Sequence, residues 1–153
     1  MKGQVQAAGA ASTSVRSARK QHNRERPIKI LIGCNEPLAV DALRMLLATS
    51  DQRGRAFEFT TSRRCDEFIQ QTQTGDFNLA VMYPNCLFPT PPFTLLEHSV
   101  FALKKIKACG SLKLVVLTSM EEWLEPLRAA GADLCVKMPF DANELRGAIS
   151  TLV

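Results

Sequence analysis

Between residues 28 and 153 the hydrophobic pattern changes period again and again, and that alternation restricts the fold more than any other property of the chain. Ile28 to Ile32 is a short, nearly continuous apolar run; behind it Ala39, Leu43 and Leu46 recur at the spacing of one helical face. The couple returns with Phe57 to Thr61 before Cys65, Phe68 and Ile69, and with Leu79 to Tyr83 before Leu96, Val100, Leu103 and Ile106. Two more rounds follow: Leu114 to Thr118 with a helix near Glu121 to Ala130, then Leu134 to Lys137 with a helix carrying Leu145, Ile149 and Leu152. Five rounds predict a parallel sheet covered on both faces, because neighbouring parallel strands are joined by right-handed helical crossovers.

Four of the runs are apolar throughout, as strands covered on both faces are. In the second, Phe57, Glu58, Phe59 and Thr60 alternate, which suits an edge and gives the order 2-1-3-4-5 of a three-layer α/β, flavodoxin-like arrangement. Ligands of such sheets bind outside the carboxyl ends of the first and third strands, so functional residues are sought at 33–37, 83–94, 118–121 and 137–140. A single domain over residues 27–153 is long enough to bury a core without staples. Asp141 and Glu144 open the last helix as a capping box, while Pro126 should break or shift the helix of the fourth round.

The formal net charge of +4 divides unevenly. Lys2, Arg16, Arg19, Lys20, Arg24 and Arg26 stand against Glu25 alone in the first 27 residues, so the remainder is close to neutral. Residues 1–26 are expected to form a disordered basic tail, too poor in large apolar groups to offset the entropy of ordering. It reads as a solvated extension, an electrostatic contact for nucleic acid or an acidic partner, or an Arg-rich transit peptide. With about six cations and no stacking aromatics, a nucleic-acid role is disfavoured. No apolar run reaches the roughly 18 residues of a membrane span, and no secretory apolar core is present. Cys34, Cys65, Cys86, Cys109 and Cys135 form no CxxC pair or zinc-ligand spacing, so reduced thiols in a cytoplasmic protein are expected, with no metal or cofactor.

Four segments carry a resemblance. Lys29-Ile30-Leu31-Ile32-Gly33-Cys34-Asn35-Glu36-Pro37-Leu38, Phe77-Asn78-Leu79-Ala80-Val81-Met82-Tyr83, Leu114-Val115-Val116-Leu117-Thr118-Ser119 and Gly131-Ala132-Asp133-Leu134-Cys135-Val136-Lys137-Met138-Pro139-Phe140 resemble, in order and spacing, the first, third, fourth and fifth strands of response-regulator receiver domains. The resemblance implies a role in two-component or phosphorelay signalling, with a magnesium ion held by two acidic residues and a phosphoacceptor aspartate. At those positions this chain has Cys34, Asn35 and Tyr83. Magnesium favours carboxylate oxygens, and a phenol with an ordinary pKa near 10 cannot form an aspartyl phosphate. Thr118 keeps its family type; Met138 stands where the family has lysine, with Lys137 one residue earlier and turned to the opposite face by strand alternation. Cys135 stands at the aromatic switch position.

The expected function is therefore that of a degenerate receiver, without enzymatic activity, acting as a phosphorylation-independent protein-interaction module. Tyr83 reads as a plug beside Thr118 or as a ligand contact. The alternative is an atypical phosphoacceptor or small enzyme using Thr118 with Lys137, or Cys34 as nucleophile, although no base is placed for that thiol. With no output domain following the last helix, a partner in trans or a second copy is expected, through the surface from the fourth to the fifth helix. Trp123, Leu124 and Leu127 on that surface are either its hot spot or part of the core. Pro84, Pro89, Pro91 and Pro92, with Phe88 and Phe93, make a semi-rigid loop that could lie over the pocket or serve no role.

Overall fold

In the computed structural model, which describes residues 26–47, 54–87 and 92–153, each apolar run becomes a strand and each helical-period segment a helix. The strands are β1 (Ile28–Gly33), β2 (Phe57–Ser62), β3 (Leu79–Met82), β4 (Lys113–Thr118) and β5 (Leu134–Lys137). The helices are α1 (Pro37–Leu47), α2 (Cys65–Thr74), a single turn α3 (Pro84–Leu87), α4 (Pro92–Ala108), α5 (Leu124–Ala129) and α6 (Ala142–Leu152), with a 3-10 turn at Glu121–Trp123 leading into α5. All pairings are parallel and the order is β2-β1-β3-β4-β5. The alternation of β2 holds: Phe57 and Phe59 are half-buried, whereas Glu58 and Thr60 face solvent.

Because strand side chains alternate, the sheet has two cores. Ile28, Ile30, Ile32, Val81 and Val115 meet Val40, Leu43 and Leu47 of α1 and Leu145 and Ile149 of α6. On the other face Leu31, Ala80, Met82, Leu114 and Val116 meet Phe68 of α2, Leu103 and Ile106 of α4 and Leu127 of α5. The buried stripe of α1 is rotated from the expected one: Val40 and Leu47 replace Ala39 and Leu46, and Leu46 is 40% exposed. The run from Leu38 to Leu47 is apolar at most positions, so several rotations satisfy the helical period and the sheet selects one. In α4, Leu95, Ser99 and Ala102 are buried, while Leu96 and Val100 pack at the margin.

Pro126 takes the third position of α5, in the first turn, where a helix needs no backbone donor. The helix has shifted to suit the proline. Asp141 Oδ1 accepts from the N–H groups of Asn143 (2.7 Å) and Glu144 (3.3 Å), the cap read from the sequence. At the amino end of the sheet, Asp133 Oδ2 accepts from Lys107 Nζ (2.5 Å) and from the Leu114 N–H (2.8 Å), tying α4 and β4 to the start of β5. Gly131 makes room for this clip: its φ is +119°, and an added Cβ would lie 2.9 Å from Lys107 Cγ. Of the expected basic tail, residues 1–25 lie outside the described residues, as do residues 88–91 of the proline-rich loop. Pro84 initiates α3, a position where its missing N–H is not needed.

Candidate functional site

The carboxyl ends of β1 and β3 are adjacent, because Gly33 and Met82 are register partners and the Tyr83 N–H donates to Gly33 O at 3.0 Å. The next residues along both strands, Cys34 and Tyr83, fall on the α1/α6 side of the sheet. Cys34 is buried there, its thiol directed at Glu36 O (3.8 Å), and Tyr83 packs half-buried against the same cluster. Met138 joins them from the end of β5, as alternation requires, while Asn35 is exposed. The core side of this end is filled as well. A Cβ on Gly33 would lie 2.7 Å from Phe68 Cδ2 and 3.1 Å from Leu87 Cδ2, so those two side chains occupy the space beneath the first strand end.

Thr118 and Lys137 form a second pair. They are register partners on β4 and β5, and Thr118 O accepts from the Met138 N–H at 2.8 Å. The Thr118 hydroxyl is fully buried and accepts from the Met120 N–H (3.1 Å), which fixes the turn out of β4. Lys137, half-exposed, donates to Glu121 Oε2 at 3.2 Å. Glu121 is the residue that sequence reading did not single out. It lies three positions beyond Thr118, within the stretch 118–121 expected to matter, but only the fold brings it opposite Lys137. The lysine is thus paired with a carboxylate of its own chain, across the mouth of the β4 and β5 ends.

At residues 34, 35 and 83 these ends offer a buried thiol, an exposed amide and a half-buried phenol, with a thioether at Met138; the carboxylates of the same stretches are Glu36, exposed, and Glu121, paired with Lys137. The three side chains at 34, 35 and 83 do not suit a hard divalent cation, which takes carboxylate and carbonyl oxygens. Among the described residues no group of three or more His, Cys, Asp and Glu side chains is placed to hold a metal ion. Cys34 and Cys135 belong to the cores on opposite faces of the sheet, so these two thiols do not form one site. Burial pushes the Cys135 thiol up from its ordinary pKa, assisted by Glu125 and opposed by Arg128.

Of the two readings of Trp123, Leu124 and Leu127, the core is the one the structure takes. Trp123 is 8% and Leu127 0% exposed, both within the core beside Ala130 and Cys135, and Leu124 is half-buried against that core. The 3-10 turn followed by a short helix winds these apolar groups inward, leaving Glu121, Glu122 and Glu125 outward. Large exposed apolar groups occur at Leu38, Met45 and Leu46 of α1, at Phe101 of α4 and, least exposed of them, at Met120 in the turn after β4.

No protein-family model matches the chain, and no curated protein matches it in sequence. Solved structures do match in shape. A two-component response regulator from Clostridium difficile superposes with a TM-score of 0.64 at 16% identity, over 82% of this chain and 94% of that one. A CheY-like receiver domain protein from Methanospirillum hungatei JF-1 gives 0.61 at 21% identity, over 82% and 93%. The receiver domain of a sensor histidine kinase from Pseudomonas aeruginosa PAO1, solved with a magnesium ion coordinated in its active-site cleft, gives 0.61 at 15%, over 83% and 98%. Strand order, helix placement and these superpositions together give the chain the flavodoxin-like fold of CheY-like receiver domains.

Proposed function

We propose that this chain is a signalling module of the receiver type that works without phosphoryl transfer, by presenting a fixed surface to protein partners. What carries the reading is the chemistry at the carboxyl ends of β1 and β3. The resemblance places a magnesium site and a phosphoacceptor at residues 34, 35 and 83; the side chains there are a buried thiol, an exposed amide and a half-buried phenol. Two further features agree. Lys137, the lysine nearest the phosphoryl-binding position, is held by Glu121, and Thr118 is committed to the turn that follows β4. The turn that follows β4 is thereby held by the chain's own groups at both Thr118 and Glu121.

The test is incubation of the full chain with acetyl phosphate and magnesium, followed by intact-mass measurement. No mass gain is expected. A gain of one phosphoryl group on a stoichiometric fraction of the protein, whether acid-stable or removed by hydroxylamine, would overturn the reading.

A further inference from the structure

A second concavity lies away from the strand ends, between α2 and α4, with a volume of about 480 Å³. Cys65 and Ile69 of α2 and Phe101 and Ala102 of α4 supply its apolar surface. Helical spacing produces this lining, because positions three and four apart share a face. Phe101 stands at the lip of the trough, 67% exposed, in the middle of the solvent face of α4. Glu97 and His98 precede it on that face, and Lys104 and Lys105 follow it. Aromatic side chains so placed are enriched at interfaces.

Around the trough Asp66, Glu67 and Glu97 stand against Arg64, Lys104 and Lys105, so this face carries no net charge and gives a strongly acidic or strongly basic partner no advantage. Along α4, however, the charges are ordered. Glu97 lies four residues before Phe101 and Lys104 three residues after it. Seven residues bring a helix back to within about 20° of the same direction, so both charges share one flank of the exposed face. They are about 10 Å apart along the axis, too far to pair with each other. Among the described residues neither belongs to an ion pair. An antiparallel copy of the same helix reverses their order. With the two Phe101 side chains at a two-fold axis, each Glu97 comes level with Lys104 of the other copy on the same flank, while like charges stay about 10 Å apart.

We infer that α4 is a self-pairing surface: two copies of this chain pack antiparallel about Phe101, each ring closing over the other copy's α2/α4 trough, with Glu97 of each meeting Lys104 of the other. The occupant is thus a second copy, because the face is neutral as a whole and its charges are complementary only to their own reversed order. This surface is distinct from the one formed by α5 and α6, and the inference does not depend on the reading of the strand ends. The apolar centre supplies affinity, and the flanking charges set register and orientation.

Sedimentation velocity on the full chain tests the inference over roughly 10 μM to 1 mM, because so small an interface gives a weak dimer. The native chain is expected to pass from monomer to dimer across that range. Phe101→Ala should weaken the dimer by roughly tenfold. Glu97→Lys and Lys104→Glu each set like charges together and should weaken self-association by roughly tenfold. An equimolar mixture of these two variants restores both opposite-charge contacts and should dimerise about as tightly as the native chain. All three positions are exposed, and recovery in the mixture shows that both charge variants are folded. A native chain that stays monomeric up to about 1 mM, a dimer indifferent to Phe101→Ala, or a mixture no tighter than either variant alone would each overturn the proposal. The acetyl phosphate experiment reads residue 83 and the sedimentation experiment reads α4, so failure of one is not failure of the other.

Discussion

Replacing Asp133 by Ala removes the acceptor shared by Lys107 Nζ and the Leu114 N–H at the amino end of the sheet. The Lys107 and Asp133 side chains are only 24% and 23% exposed, so screening by water discounts the interaction less than at the open surface. Lys107 keeps its bond to Leu112 O at 2.9 Å, but Leu114 loses its partner at the first turn into β4. One charge-assisted and one backbone hydrogen bond lost at a partly buried site amount to about 2–3 kcal/mol. In a chain of this size that lowers Tm by roughly 5–10 °C. Asp133→Asn keeps an oxygen for Leu114 and loses only the charge, so about half the effect is expected. The Lys107→Met and Asp133→Asn variants, measured singly and together by urea unfolding, should couple by about 1 kcal/mol. Partial burial works to raise the Asp133 carboxyl, yet Lys107 and the Leu114 N–H outweigh it and hold it below the usual carboxylate range. A group lowered in the folded state stabilises above its unfolded pKa, about 3.9, and loses that contribution as pH falls through the lower folded value. The gap between the native chain and Asp133→Asn should therefore be full at pH 7 and begin to narrow as the pH falls below about 4. A gap that does not narrow at all as the pH falls from about 5 into the acid range, or a coupling near zero, would refute the assignment.

Two other variants probe the strand ends. Gly33→Ala drives a methyl group into the ring of Phe68, a rigid neighbour with Leu87 behind it, and should destabilise by about 1–3 kcal/mol in thermal unfolding; a neutral result would mean that this end is loosely filled. Glu121→Gln breaks an ion pair whose side chains are 48% and 76% exposed, so stability should change by less than about 1 kcal/mol while the amide protons of residues 119–123 exchange faster; a large loss of stability with unchanged exchange would contradict the role given to the pair.

How much of this was legible in the chain itself follows from which features are local. The Phe57-Glu58-Phe59-Thr60 alternation marks an edge strand because exposure on one face is written into successive residues, and Asp141 marks a cap because its partners are two and three residues away. The rotation of α1 is not local: Leu38, Ala39, Val40, Leu43, Met45, Leu46 and Leu47 offer more apolar positions than the sheet can cover, and only tertiary packing leaves Leu38 and Met45 outside. Trp123 and Leu127 could be read either way, since a short segment beginning as a 3-10 turn has no dependable period. The pairing of Glu121 with Lys137 joins residues 16 apart in sequence, and the α2/α4 trough joins stretches about 30 apart. Neither leaves a mark in any local window.

The filling of the β1 and β3 ends bears on how readily these positions tolerate change. Putting an aspartate at residue 83 alone would set a carboxylate against Cys34 and Met138, among apolar groups, where desolvation would favour its protonated form. A cluster of carboxylates could be installed there only by changing residues 34, 35, 83 and 138 together, because a single change leaves a misplaced charge or an unfilled hole. The apolar packing of these strand ends thus makes the pocket resistant to redesign one substitution at a time.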